Sequence, residues 1–365
     1  MQALRIYAGP AAREHIARQG LRPADVAVIP AAAGGPKGLI LGPLDRFIFG
    51  PWLSQSAQPI GLVGASIGAW RMASACMPSG VQALAQLEHD YIAQDYEIEP
   101  GQKRPTARHI SERFAQNLQH FYADQVQALL QHPRYRLHII AARGRHVLAR
   151  ERSTARTALG YLGAYVSNGL HRKALGAWLE RVVFSAPEPA SGQLPVLPFA
   201  TQDYRTRQVA LTAQNFHLAL RASCSIPFAL QAVHDIPGAP PGAYWDGGLT
   251  DYHLHLHYRK GLVLYPHFQQ AVVPGWLDKH LRWRHRATGF LASTVVLAPD
   301  PAWVARCLPR GKLPDRSDFI HYGSDALSRR RVWTQAVQES QRMADEFAAW
   351  CELAPEQQAS AVSAL

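Results

Sequence analysis

The chain has 365 residues, of which 47% are hydrophobic and 18% charged, and 38 basic residues against 27 acidic ones leave a formal net charge of +11. The hydrophobic fraction excludes a disordered chain. No apolar run reaches the roughly 18 residues of a membrane-spanning helix. The four cysteines are too far apart for a CxxC zinc or redox motif.

Short apolar runs alternate with segments of helical periodicity along the chain. Strands are predicted at residues 26–30, 59–64, 137–142, 209–212, 261–265 and 294–298. Helices are predicted at 39–49, 67–77 and 318–350, and proline-rich loops at 185–198 and 234–241. Strands alternating with helices are typical of βαβ units. The sequence therefore predicts an α/β protein with three α/β/α layers, a mainly parallel central sheet and a helical C-terminal extension.

The motif Gly64-Ala65-Ser66-Ile67-Gly68 lies between a predicted strand and a predicted helix. In that context G-x-S-x-G indicates a nucleophile elbow, a strained turn with small neighbours that pushes the serine hydroxyl out of the sheet. The N-terminus of the following helix favours negative charge there. We expect Ser66 at the protein surface. The alternative is a glycine-rich turn with an incidental serine.

A second motif, Gly34-Gly35-Pro36-Lys37-Gly38, also lies between a strand and a helix. Adjacent glycines can direct successive backbone N–H groups into one concavity, as oxyanion holes do. Pro36 has no N–H, so the donors are Gly34, Gly35 and Lys37. The spacing does not fit a nucleotide-binding P-loop. An ordinary tight turn is the alternative.

The third motif is Tyr244-Trp245-Asp246-Gly247-Gly248. A carboxylate followed by two glycines can project into a cleft while the backbone turns away. Asp-Gly is also a common turn sequence, so this motif has little specificity alone.

In this order the three motifs resemble those of the patatin-like phospholipase family, whose members have a glycine-rich oxyanion loop, a G-x-S-x-G elbow and an Asp-Gly-Gly/Ala motif. The segment Ala222-Ser223-Cys224-Ser225-Ile226-Pro227 is similar to a family segment upstream of the aspartate. The resemblance covers residues 26–252. It implies that residues 1–260 form a patatin-like catalytic domain, and that 261–365 are the C-terminal part of the same domain.

The resemblance implies a Ser66–Asp246 catalytic dyad and an oxyanion loop containing Gly34, Gly35, Lys37 and Gly38. Two residues depart from the family pattern, because Ala32 stands where an aspartate is common and Ala33 replaces the first glycine. An alanine still has an N–H, so we expect Ala33 to leave the oxyanion hole intact.

The implied activity is hydrolysis of lipid acyl esters, of phospholipids or lysophospholipids, through an acyl-enzyme and without a metal or organic cofactor. In such a dyad the carboxylate takes the serine proton directly, whereas most serine hydrolases place a histidine between them. Residues 103–200 contain no matching motif, and we expect them to determine substrate preference.

Two other functions remain open from the sequence. The first is a Ser-His-Asp α/β-hydrolase acting as an esterase or thioesterase. His253, His255 and His257 alternate, and on a strand they would share a face, where they could supply a triad histidine or bind zinc. We interpret them as surface or packing residues. The second is a non-catalytic membrane-binding protein.

Residues 276–286 interleave tryptophan with lysine and arginine. This composition suits the interface of an anionic membrane, and a solvated face is the alternative. The same residues could contact the phosphates of a nucleic acid. The sequence contains no nucleic-acid-binding motif, so we expect no nucleic-acid partner. The N-terminus lacks the pattern of a secretory signal. We therefore expect a cytoplasmic protein with peripheral membrane association.

Overall fold

The computed structural model describes residues 1–96, 105–259 and 261–365. The strands are β1 (Leu4–Ala8), β2 (Val26–Ala31), β3 (Ile60–Ala65), β4 (Tyr135–Gly144), β5 (Leu179–Ser185), β6 (Thr206–Ala210), β7 (Val233–His234), β8 (Ala243–Asp246), β9 (Leu262–Pro266), β10 (Thr294–Pro299) and β11 (Val362–Ala364). The α-helices are α1 (Pro10–Gln19), α2 (Gly42–Phe47), α3 (Ile67–Ala75), α4 (Gly80–Ala93), α5 (Ala107–Tyr122), α6 (Val126–Leu130), α7 (Thr154–Leu170), α8 (Phe216–Ser223), α9 (Gly248–Asp251), α10 (Pro301–Cys307), α11 (Ser317–Tyr322), α12 (Ala326–Cys351) and α13 (Pro355–Ser360).

One sheet has the strand order β11-β1-β10-β9-β2-β3-β4-β5-β6. Its central strands, from β10 through β9, β2 and β3 to β4, are parallel to one another. Strands β1 and β5 run antiparallel to this centre. The central strands are almost continuously buried, as expected for a parallel sheet with helices on both faces. The predicted α/β fold class is confirmed.

The C-terminal part of the chain completes this sheet. β9 pairs with β2, and β10 lies between β9 and β1. The long helix α12 packs against α2, where Phe347 meets the rings of Phe47 and Trp52 at centroid distances of 5.9 and 5.6 Å. Residues 261–365 therefore share one core with the preceding part of the chain. Within the described ranges, no helix has both the length and the hydropathy needed to cross a bilayer.

The structure corrects three of the predicted elements. The predicted helix 39–49 is divided into a 3₁₀ segment, Gly35–Leu41, followed by α2 and a π-turn, because Pro43 cannot donate a helical hydrogen bond and Gly50 is non-helical. The predicted strand 209–212 ends at Ala210, and Thr212 begins the turn into α8. The predicted helix 318–350 breaks at Gly323, whose φ is 50°.

Candidate active site

Two strands meet end to end on the same edge of β4. β3 runs parallel to β4 and ends with Ala65 opposite Ile140, whereas β8 runs antiparallel and ends with Asp246 opposite Ala141. The partner positions on β4 are consecutive. The first residue after β3 therefore meets the last residue of β8, and the Ser66 hydroxyl donates a 2.7 Å hydrogen bond to Oδ2 of Asp246.

Ser66 lies in a strained turn between β3 and α3. Its φ of 56° and ψ of −130° fall outside the allowed regions for a residue with a side chain. The turn is tight, because a Cβ on Gly68 would lie 1.9 Å from the carbonyl oxygen of Ala31. The prediction that Ser66 lies on the surface is wrong, since only 4% of the residue is exposed. The elbow serine lines a cavity of the protein.

Asp246 is buried at the end of β8. Besides the Ser66 hydrogen bond at Oδ2, its Oδ1 accepts a 2.7 Å bond from the N–H of Gly248. Burial raises the pKa of the Asp246 carboxyl, and the Ser66 hydrogen bond and the Arg316 charge oppose this shift. A carboxylate with a raised pKa is a stronger base. The adjacent glycine is required by space, because a Cβ on Gly247 would lie 2.0 Å from the Ile140 carbonyl oxygen.

The segment 222–227 connects the two halves of the dyad. The Ser223 hydroxyl accepts a 2.9 Å hydrogen bond from the Ser66 N–H and donates a 2.6 Å bond to the Ile140 carbonyl. The Asp246 N–H donates to the Ser225 carbonyl at 2.9 Å. In the sequence, only the family resemblance singles out this segment. It does not predict that Ser223 positions the elbow. The two serines of the segment, Ser223 and Ser225, were the available sequence signal.

The oxyanion-loop residues lie beside the dyad. Gly34 and Lys37 line a cavity that contains Asp246, and Gly35 lines a second cavity that contains Ser66. Gly35 starts the 3₁₀ segment, so its N–H has no carbonyl partner one turn earlier. Gly38 lies farther along that segment, where a Cβ would touch the side chain of Ile67. The loop and the elbow helix therefore pack directly together.

The expectation that Ala33 contributes an oxyanion donor is wrong. Its N–H donates a 2.9 Å hydrogen bond to the carbonyl oxygen of Tyr252 and is already occupied. Its neighbour Ala32 is buried and brings no charge where the family pattern often has an aspartate. The three predicted amide donors, Gly34, Gly35 and Lys37, all belong to residues that line the cavities.

The two cavities share part of their wall. The cavity at Asp246 has a volume of about 530 Å³ and the cavity at Ser66 about 260 Å³. Ile226 and Arg316 line both. Ser66 lines one cavity and Asp246 the other, so the dyad lies at the wall that the two cavities share.

The cavity at Ser66 is mainly apolar. Its wall includes the side chains of Ile67, Trp70, Ile110, Phe114, Leu230 and Phe319. The described part of the predicted specificity region, 105–200, contributes to both cavities, with Ile110 and Phe114 here and Tyr161 and Leu162 in the other. Residues 103 and 104 of that region lie outside the described residues. Such a wall suits a hydrocarbon chain.

The cavity at Asp246 carries positive charge. Lys37, Lys279 and Arg316 line it, against the two carboxyl groups of Asp246 and Asp315. The Lys279 ammonium lies 4.2 Å from the centre of the Tyr252 ring. The Lys279 side chain reaches solvent. Partial burial, together with repulsion by Lys37 and Arg316, nevertheless lowers the pKa of Lys279 to about 8. Burial likewise lowers the pKa of Lys37. The charged side chains near Asp246 suit the polar part of an ester, while the rest of the cavity wall, which includes Leu162, Phe228 and Trp276, is mainly apolar.

The alternating histidines do not share a strand face. Leu254 between the first two has a φ of 49°, which breaks the extended backbone, and His253 and His255 are buried whereas His257 is exposed. Their partners are the Val273 N–H, the Thr288 hydroxyl and the Phe290 ring. None of the three has a hydrogen bond to Ser66 or Asp246. Within residues 1–96, 105–259 and 261–365, no three potential metal-binding side chains cluster.

Replacing His253, His255 or His257 singly by Gln is expected to lower ester turnover per folded molecule by less than about tenfold, because none reaches the dyad. Steady-state assays on a soluble ester measure the turnover. Thermal unfolding, measured in parallel, shows whether each variant is folded. The exposed His257 is the control for the two buried histidines. A thousandfold loss in a folded variant would instead identify a catalytic triad.

Comparison with family models and with curated proteins finds no match for this chain.

Proposed function

We propose that the protein is a serine-dependent hydrolase that cleaves acyl ester bonds of lipids through an acyl-enzyme. The observation that supports this most directly is the 2.7 Å hydrogen bond from the hydroxyl of a strained elbow serine, Ser66, to the buried carboxylate of Asp246. A serine is a weak nucleophile and needs a base within hydrogen-bond distance. Asp246 meets that requirement directly.

In the proposed reaction, the Ser66 proton passes to Oδ2 of Asp246 as Oγ attacks the ester carbonyl. Negative charge then develops on the carbonyl oxygen, where the amides of Gly34 and Gly35 would donate hydrogen bonds. One such donor is worth about 3 kcal/mol in the transition state. Asp246 returns the proton to the leaving alkoxide. Water then attacks the acyl carbonyl with Asp246 again as the base, and the acyl–Oγ bond breaks to release the fatty acid as Asp246 returns the proton to Oγ of Ser66.

The cavities support a lipid substrate. An acyl chain would occupy the apolar cavity beside Ser66, and the polar leaving group would face the cations around Asp246. This division suits a phospholipid or a lysophospholipid, the substrates implied by the resemblance to patatin-like phospholipases. The cysteines are unpaired, which suits a reducing compartment, so we propose a cytoplasmic enzyme.

The triad alternative is less well supported. It requires an imidazole between serine and carboxylate. Within the described ranges, no histidine has a hydrogen bond to Ser66 or Asp246, and the Ser66 hydroxyl already contacts the carboxylate.

Labelling with a fluorophosphonate probe tests the proposal and separates an enzyme from a non-catalytic membrane-binding protein. We expect stoichiometric labelling of the wild type at the peptide containing Ser66, because the probe reacts only with an activated hydroxyl. Ser66→Ala should remove the label, and Ser54→Ala, an exposed serine, should not. Absence of labelling in the folded wild type would contradict the proposed function.

A further inference from the structure

Helix α7 is apolar on both of its sides. Gly160, Tyr161 and Ala164 are buried against the molecule, as a helix packed on a core requires. The opposite side carries Leu159, Leu162, Val166 and Leu170, spaced at helical intervals and each 54 to 83% exposed. Arg156 is the helix's single charged residue. A surface helix normally has a polar outer side, so this arrangement indicates that something covers it.

This helix borders the entrance to the cavity at Asp246. Leu162 and Tyr165 line that cavity together with Phe228 and Trp276, and all four side chains are also exposed to solvent. The exposed apolar side of α7 therefore continues into the wall of the candidate active site.

A buried carboxylate joins α7 to the basic segment 276–286. Asp278 accepts hydrogen bonds from Asn168 of α7 at 2.7 Å, from Arg172 at 3.0 Å and from Arg284 at 2.8 Å. These bonds place Trp283, which is 65% exposed, beside the C-terminal end of α7. The helix and the segment form one surface. We call it the α7 face: the exposed side chains of Leu159, Leu162, Tyr165, Val166, Leu170, Phe228, Trp276 and Trp283.

The surroundings of the α7 face are positively charged. Residues 154–173 contain no acidic side chain, and residues 276–286 contain only Asp278, which is buried and paired. Arg172 and Arg284 pair with Asp278, and the other basic side chains of these two segments are Arg156, Lys173, Lys279, Arg282 and Arg286. Two copies of this face would bring like charges together, which disfavours a symmetric dimer. An aliphatic surface ringed by cations instead complements an anionic membrane.

We infer that the α7 face docks onto the surface of an anionic bilayer. Its aliphatic and aromatic side chains enter the boundary of the hydrocarbon, and the surrounding arginines and lysines contact lipid phosphates. The entrance to the Asp246 cavity then opens toward the membrane. The delivery of a lipid ester to the dyad rests on the proposed function, whereas docking itself needs no turnover.

Co-sedimentation of the full-length Ser66→Ala variant with vesicles tests docking apart from hydrolysis. We expect at least about tenfold stronger binding to phosphatidylcholine vesicles containing about 30% phosphatidylserine than to pure phosphatidylcholine. Raising the salt from about 0.1 to 1 M should remove most of this preference. Equal binding to both vesicles, unchanged by salt, would overturn the inference.

Substitutions then locate the surface. Leu159→Ser with Val166→Ser, both outside the cavity wall, should weaken binding by about tenfold or more. Ile320→Ser with Leu327→Ser, apolar residues on α11 and α12 that are even more exposed than the α7 pair, is the matched control and should bind like the parent. Equal losses in both pairs, or none in the α7 pair, would overturn the inference. So would a dimer in solution that only the α7 pair dissociates. If the wild type binds vesicles but takes no fluorophosphonate label, the proposed hydrolase activity is contradicted and the docking inference stands.

Discussion

Replacing Ser66 by Ala is expected to reduce the hydrolysis of p-nitrophenyl acyl esters to a few per cent of wild-type turnover or less. The substitution removes the only atom proposed to attack the carbonyl, and the remaining amides and cavity walls cannot form an acyl-enzyme. Steady-state kinetics on purified protein measures the effect. The loss should fall on kcat, because the cavities that bind the ester are unchanged.

The fold should tolerate this change. Alanine keeps the Cβ and the backbone of the elbow, and the Ser66 N–H still donates to the Ser223 hydroxyl. What is lost is one hydrogen bond to Asp246, worth about 1.5–3 kcal/mol to a charged partner. Thermal unfolding and circular dichroism check that the variant is native. Turnover well above a few per cent in the native variant would exclude Ser66 as the nucleophile.

Asp246→Asn is expected to lower turnover by about 10²–10⁴-fold, because an amide can keep the hydrogen bond to Ser66 but cannot accept its proton. The exposed acid Asp235, in the loop before β8, supplies the control: Asp235→Asn should retain wild-type activity. Kinetics on the same soluble ester measures both variants. Retention of activity by native Asp246→Asn would assign the base to another group.

The pH profile provides a second readout of the same residue. Asp246 must be ionised to act as a base, so wild-type kcat/KM should fall as the pH drops through its pKa. Burial raises that pKa, so the fall should begin at a higher pH than for a solvent-exposed aspartate. Activity that persists unchanged to the pH where exposed carboxyls titrate would contradict this role.

The central strands were predictable because they are buried on both faces. Residues 26–30, 59–64 and 294–298 are short apolar runs between turn-forming residues, and the structure places strands over each of them. The errors came where local backbone chemistry competes with periodicity. Pro43 lies inside a segment whose apolar spacing alone predicts one helix, and Gly50 ends the helical conformation just beyond it.

The candidate site was partly predictable for a related reason. Glycines at 68 and 247 are required by the close approach of other chain segments, and such constraints leave a short, recognisable pattern around Ser66 and Asp246. A motif read from the sequence cannot place the two side chains in contact, since they are 180 residues apart. Their meeting depends on the shared edge of β4.

The sequence by itself therefore determined the fold class and the positions of the tight turns. Strands buried on both faces and tight turns each restrict which amino acids fit, so both leave a local pattern. Only the tertiary structure decided that Ser66 is buried. It also decided that the Ala33 N–H donates to the Tyr252 carbonyl and that the Ser223 hydroxyl accepts from the Ser66 N–H. It also decided that the outer side of α7 is uncovered. Hydrogen-bond partners and exposure depend on which distant segments pack together, and a local pattern carries no record of that packing.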